Sequence, residues 1–416
     1  MTERSRQPEL DQPAETGQSP AVADLAAGGF AAETEILTTT GPRRVGRLTP
    51  EDRVYALNLA TGVMQPKRVL NVEAVTPTDP PVEIRTRRGH LKLLQDHRIP
   101  YQTKSISRIR THSAGELATR QEYKFVNDWQ TRAHPRLEQV DMTELAKEYE
   151  VGVTPNCHGH TFRARLPDGC EPSRYGGEVG YYFDPDTFET YRSSIEDTAA
   201  EVTIHAGPNH WRRPITFDGD DFLEFLGWFI TEGSITHSSN RDTSEIGIAQ
   251  KTASHRERIA ELFDRMEIDV CVSENGFSFS SKLFARVLHR LCGGSSHEKR
   301  LPEFVFTLPR EQQELLLDTL FAGDGNDWGV YYTASDQLAA DILRLFAYLE
   351  YKPRYTVRNG NWQLYLGTSR DGFSSTAHVS STTDTSPCYR LAVADYSAVM
   401  AGIDGKFQWV GVSQVG

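Results

Sequence analysis

At 416 residues, 38% hydrophobic and 10% aromatic, the chain holds apolar material for two or three ordinary domains. No apolar run is long enough to span a bilayer and no basic-then-apolar signal pattern opens the chain, which argues against a membrane protein and for a cytoplasmic one. The net charge of −12 counts against broad electrostatic binding of nucleic acid, although residues 251–300 carry a local excess of two positive charges, and five scattered cysteines do not make a secreted disulfide framework.

In chain order, residues 1–28 are rich in Ala, Glu, Gln, Pro and Ser and poor in aromatic and β-branched residues, a composition that predicts a disordered lead. Residues 29–105 have an all-β texture, with TEIL, RVYALN, RVLNVEAV, VEIRT and LKLLQ alternating with turn-forming TTTG, TG and RRGH. Residues 106–214 show no strong period and receive no fold assignment. Recurring Arg and Tyr there suit either an accessory DNA-contact region or packing between domains. Within that stretch, CHGHTFRARLPDGC places Cys157, His158, His160 and Cys170 within fourteen residues, a set chemically able to hold zinc. Its spacing matches no standard finger and adjacent Cys157 and His158 make awkward ligands, so a structural role is expected.

Residues 215–370 read as α+β, and they repeat. A helix over Asp221–Glu232 is followed by the strand SEIGIAQ, an amphipathic helix near 254–266 and a hairpin turning at Asn275 and Gly276. The second copy runs from LLDTLFAGDG through WGVYYTAS and a helix near 336–350 to a hairpin turning at Asn359 and Gly360. Ile259 and Ile342, Leu262 and Leu345, and Phe263 and Phe346 align at one constant offset, the mark of an internal duplication. Residues 385–416 return to β texture.

Each copy's first helix ends on a carboxylate, Glu232 or Asp324, followed by glycine. Small residues stand at matching places before it, Gly227 and Thr231 in one copy, Thr319 and Gly323 in the other. Four apart, they share a helical face that lets two backbones approach closely. If the helices pack through these faces, their acids arrive side by side. Gly233 and Gly325 occupy the position that favours a left-handed helix stop. An acid at the negative end of a helix is unfavourable, and two compound the cost. A divalent cation offsets both, and two carboxylates with phosphate oxygens are a usual way to hold Mg²⁺ for phosphodiester chemistry.

FLGWFITEG and LDTLFAGDG resemble the paired motifs of the LAGLIDADG (dodecapeptide, DOD-type) homing endonucleases in their single-chain form, over about residues 220–366. The resemblance implies a pseudo-symmetric two-repeat endonuclease domain that cuts double-stranded DNA at a long recognition site. It implies Glu232 and Asp324 as catalytic, metal-binding acids, Mg²⁺ or another divalent cation as cofactor, and a monomer, since both motifs lie in one chain. The first copy has Glu where the family usually has Asp. HEKRLPEFV is similar to a block of intein-borne members whose lysine reaches the active site, so Lys299 is assigned an assisting catalytic role. Gln250 and Lys251 are candidates for contact with water or DNA.

The flanks resemble a Hint (intein splicing) domain, all-β, into which the endonuclease would be inserted. GFAAETEIL, VGRLTPEDRVYALNLATG and HLKLLQDHRIP follow the family's first blocks and CYRLAVADYSAVMAGIDGKFQWVGVS its last. Splicing chemistry looks lost. Gly29 stands where a Cys or Ser nucleophile belongs, Leu94 replaces the Thr that precedes His97, Ser397 aligns with a His, and no terminal His-Asn pair follows. The expectation is a free-standing homing endonuclease derived from an intein, with Gly29 and His97 as vestiges. The alternatives are an intein that still splices and a DNA-binding relative that has lost cleavage.

Overall fold

The computed structural model describes residues 28–103, 106–120, 123–177, 179–207, 209–211, 214–238, 243–367, 378–381 and 386–415. The expected disordered lead lies, apart from Gly28, outside them. The fold is mixed α/β and rich in strands. Its two ends build one β body. Cys388–Ala394 lies between Phe30–Ala31 and Met64–Val75, antiparallel to both, with Leu391 opposite Val72 and Phe30 opposite Tyr389. Ala398–Ile403 pairs with Glu35–Thr38 and with Lys406–Gly411. Alternating apolar positions such as Ile36, Val54, Ile84, Leu391 and Val399 form its core.

The stretch left unassigned folds on itself. Arg174–Gly176, Gly180–Phe183, Glu150–Pro155, Ala199–Ala206 and Asn209–Trp211 make a five-stranded antiparallel sheet in that spatial order. The helix Pro185–Glu196, capped by Asp184 with Pro185 in its first turn, closes a small core of Val151, Val153, Phe162, Phe183, Phe188 and Ile195.

Two repeats follow. The first comprises α1 (Gly219–Glu232), β1 (Gly233–Ser238), β2 (Thr243–Ala249), α2 (Ala253–Arg265), β3 (Cys271–Ser273), β4 (Gly276–Ser280) and α3 (Lys282–Cys292). The second comprises α4 (Arg310–Asp324), β5 (Val330–Thr333), α5 (Asp336–Tyr348), β6 (Tyr355–Arg358) and β7 (Asn361–Tyr365). The sheets run β1-β2-β4-β3 and β5-β7-β6. Six register pairs join β1 to β2, from Gly233 opposite Ile248 to Ser238 opposite Thr243. In the second repeat a single bridge, Gly325 to Tyr331, is what remains of that pairing.

Helix α1 is apolar nearly all round because it is buried nearly all round: Phe222, Leu223, Phe225, Leu226, Trp228 and Phe229 are each 0% exposed. Each such side chain contributes roughly 1.5–3 kcal/mol of burial. The buried Glu224 is tolerated because Arg258 and Arg265 both reach its carboxylate. The contact with α4 is like on like. A Cβ on Gly227 would sit 2.7 Å from Cγ2 of Thr319, and one on Gly323 would sit 2.3 Å from Oγ1 of Thr231. Both threonine hydroxyls bond back to their own helices, Thr231 to the Gly227 carbonyl at 3.1 Å and Thr319 to the Leu315 carbonyl at 2.9 Å, so neither leaves a buried donor unpaired.

Two expectations need correction. Gly233 and Gly325 are not left-handed, since their φ values are −87° and −93° with extended ψ. Glycine is required there by proximity: a Cβ would lie 2.3 Å from the Phe229 carbonyl oxygen in one case and 2.4 Å from that of Phe321 in the other. The first hairpin turns at Glu274 and Asn275, because Ser273 pairs with Gly276. The second does turn at Asn359 and Gly360, both with positive φ, 52° and 78°.

Gly323→Ala is expected to destabilise the chain by about 1–3 kcal/mol through overpacking at Thr231. Gly367→Ala, at a site with nothing within 4 Å of the added methyl, is the control and is expected to stay within about 0.5 kcal/mol. Denaturant midpoints decide: equal losses in the two variants would mean that the helix contact is not tight.

Candidate active site

The last turn of a helix exposes unpaired carbonyls and carries the negative end of the dipole. Glu232 and Asp324 both occupy such a turn. Burial raises the carboxyl pKa of Glu232, and a hydrogen bond from Gln250 Nε2 to Glu232 Oε1, 3.2 Å, works against that rise. Asp324 is pushed up to about 6, first by burial and then by the charge of Glu232, against the pull of Tyr331 and Lys299. Burial acts on both carboxylates, and the charge of Glu232 reaches Asp324.

Gln250 is fixed by its surroundings. Its Oε1 accepts from the backbone N–H groups of Lys251 at 2.9 Å and Thr252 at 2.8 Å, so the amide nitrogen must face Glu232. It positions the acid and covers the start of α2 at once. Lys251 is exposed and enters this network through its backbone N–H. In the second repeat the corresponding support comes from Tyr331, fully buried on β5, whose hydroxyl lies 3.5 Å from Asp324 Oδ2. Nothing in WGVYYTAS distinguishes Tyr331 from an ordinary core tyrosine until the bridge to Gly325 places it under the acid.

Lys299 does not extend into the cleft as a free cation. It is 4% exposed, and its ammonium donates to the carbonyls of Phe229 at 2.6 Å and Gly233 at 3.0 Å while lying 3.7 Å above the Phe229 ring. It thus satisfies two carbonyls at the end of α1 and sets a positive charge against the dipole beneath the acids. Burial lowers its pKa to about 8, with the charge of Asp324 acting in the opposite direction. Lys299 and Asp324 share a cleft of about 630 Å³ with Tyr332, Arg358, Asn361 and Gln363.

Two carboxylates with raised pKa values suit a divalent cation, which favours their ionised forms. Among the described residues no group of three or more His, Cys, Asp and Glu converges to hold a metal. Glu232 and Asp324 would therefore supply only part of a Mg²⁺ shell, leaving positions for water and phosphate oxygens.

The remaining candidates lie elsewhere. Gly29 and His97 are neighbours in the β body: the Gly29 carbonyl accepts from Leu94 N at 2.9 Å, and a Cβ on Gly28 would touch the backbone of His97. His97 is buried against Phe30, donates from Nε2 to the Gly411 carbonyl at 2.8 Å, and is held neutral by burial with a pKa of about 4. His158 accepts from His160 N at the start of a short helix, and Cys170 belongs to the small core of the inserted sheet.

No family model matches the chain. It is 28% identical over 111 residues to a DNA polymerase of Thermococcus litoralis, covering 26% of this chain and 6% of that protein. It is 25% identical over 118 residues to one of Thermococcus hydrothermalis, covering 27% and 7%. The chain thus spans less than a tenth of the curated relatives it matches. Among solved structures it is similar to a bacterial intein-like domain from Clostridium thermocellum, at 27% identity, covering 21% of this chain and 60% of that one with a TM-score of 0.19. It is also similar to the gp41-1 intein, at 16% identity, covering 22% and 61% with a TM-score of 0.17.

Both acids have raised pKa values, so the folded chain binds more protons than the unfolded chain and loses stability as pH rises from the unfolded carboxylate range through about 6. Asp324→Asn is therefore expected to stabilise the metal-free chain by roughly 1–2 kcal/mol at pH 7.5 and by little at pH 4. Denaturant titrations at the two pH values check this, and a variant no more stable than wild type at pH 7.5 would contradict the electrostatic account.

Proposed function

We propose that this chain is a site-specific, divalent-metal-dependent double-strand DNA endonuclease of the LAGLIDADG type, carried in a Hint-like β body. The observation that supports it most is the self-matching contact of α1 with α4, Gly227 on Thr319 and Thr231 on Gly323, which delivers Glu232 and Asp324 to one place. Magnesium at the two carboxylates would contribute Lewis-acid charge toward hydrolysis of a phosphodiester in each strand. The chain's own residues do the rest. Gln250 and Tyr331 orient the acids, and Lys299 stabilises the end of α1 and sets positive charge below them. Side chains and strand pairs on the open faces of the two sheets would meet the DNA, whose major groove admits a two-stranded β-ribbon.

A self-splicing reading is weakened at Gly29, which has no hydroxyl or thiol to begin an acyl shift. With Mg²⁺ present, the wild-type chain is expected to linearise those members of a plasmid library that share one long sequence. Asp324→Asn and Glu232→Gln are expected to lose roughly a hundredfold or more of that activity. Absence of cutting by wild type, or cutting retained in Asp324→Asn, would refute the proposal. Binding without cutting would favour the cleavage-inactive relative, and a mass change in the expressed chain would favour splicing.

A further inference from the structure

In each repeat one sheet face packs on helices and the other is open. Register separates the two faces without ambiguity. In the second repeat, Tyr331, Leu364 and Tyr355 form one inward row. Tyr332, Gln363 and Thr356 form the next row on the opposite face, with Asn361 opposite Arg358 further along and Tyr365 at the other end. That open face therefore carries Arg, Asn, Gln and Tyr, and it borders the cleft of Lys299 and Asp324. In the first repeat, Ile246 and Ile248 on β2 and Phe277 and Phe279 on β4 point inward. The open rows there are Ser234, Gly247, Ser278 and Cys271, then Thr236, Glu245 and Ser280, then Ser238 and Thr243, and at the other end Ala249, Gly276 and Ser273. Among the described residues of that face, Glu245 is the one long side chain.

We infer that base recognition is lopsided: the second repeat's sheet reads its half of the DNA site through Arg358, Asn361 and Gln363, while the first repeat's small-residue sheet seats its half with little direct reading. The inference rests on the endonuclease reading above and adds which half of the target carries the sequence information.

The chemistry of the side chains carries it. Arg358 is exposed and, among the described residues, has no acid partner, which leaves its planar fork available for the two acceptors of guanine. Gln363 is pre-set, since its Oε1 is engaged by the hydroxyls of Tyr365 at 3.2 Å and Thr356 at 3.4 Å, turning its amide N–H groups toward acceptor edges. Asn361, beside Arg358, is exposed and long enough to address adenine. Arg354 stacks on Tyr365 at 4.3 Å at the rim, a place suited to phosphate. On the first sheet, Gly and Ala offer no side-chain hydrogen bond and Ser and Thr bond to any base. The carboxylate of Glu245 accepts from cytosine but repels phosphate. Such a face admits the duplex closely and discriminates weakly.

The test is selection of duplexes from a randomised pool by the full chain in EDTA, where DNA is bound and not cut, followed by sequencing of the bound fraction. Wild type is expected to enrich a site whose information is concentrated on one side of its centre. Arg358→Ala and Asn361→Ala are each expected to flatten positions on that same side, with roughly a ten- to hundredfold loss of discrimination there. Arg358→Lys keeps the charge and loses the fork, so it should flatten the same position while holding overall affinity. Ser278→Ala and Thr236→Ala are expected to change discrimination by less than about threefold on either side. Information shared equally between the half-sites, or unchanged by the Arg358 variants, overturns the inference and leaves the endonuclease reading in place. No binding of any duplex overturns both.

Discussion

The close approach of two helices at Gly227, Thr319, Thr231 and Gly323 is the constraint on which the rest of the molecule depends. At each of these contacts a methyl-sized addition would collide with the partner helix. Close backbones bring the helix ends together, and only then do two carboxylates far apart in the sequence, Glu232 and Asp324, come within each other's field. The apolar bulk around α1 follows from the same requirement. A helix pressed against α4 along one side and covered by Phe263, Phe279 and Phe284 on the others has no solvent face left, so its sequence has no polar stripe.

The cost of that geometry is electrostatic, and the two repeats answer it differently. On the first side, the amide of Gln250 holds Glu232, and Lys299 covers the carbonyls beneath. On the second, a buried tyrosine from the sheet supports Asp324. Residues at equivalent places are unlike: Gly233 pairs with Ile248 in one repeat, and Gly325 with Tyr331 in the other. The duplication therefore preserved the contact and the acids while their supports diverged. That is the pattern expected where the backbone approach is sterically exacting and the support of a carboxylate has several chemical solutions.

Much of this was legible in the sequence, and the boundary of legibility has a physical cause. Periodicity located both motif helices, the helices over 253–265 and 336–348, and the Asn359–Gly360 turn, because each depends on local spacing. Small residues at matching positions disclosed the helix contact, because only proximity explains them twice. The inserted five-stranded sheet stayed hidden, since its strands are short and its core is seven buried residues. Lys299 was singled out by its resemblance to a motif, but its bonds to Phe229 and Gly233 are contacts between segments some seventy residues apart, which no local pattern encodes. The glycines after the acids were read as left-handed stops because that is the commonest use of glycine at a helix end. Here steric closeness to a carbonyl is the operative reason.

The β body supplies the last element of the arrangement, a fixed reference for one repeat. Trp129 donates from its indole to the Ala347 carbonyl at 2.8 Å and meets Trp409 edge to face, so α5 is pinned to strands from the chain's far end. The Tyr355 hydroxyl donates to Glu35 at 2.8 Å and its backbone N–H to Gly405 at 3.0 Å, which ties β6 to the same body. The first repeat leans instead on the inserted region, through Arg290 to Glu148 and Trp211 against Phe284. The sheet that bears the long polar side chains is thus the one tied directly to the β body. Hydrogen bonds that discriminate among bases lose their value if the platform shifts by an ångström. A face of serines and glycines makes no such demand, and it belongs to the repeat that packs on Glu148 and Trp211 instead.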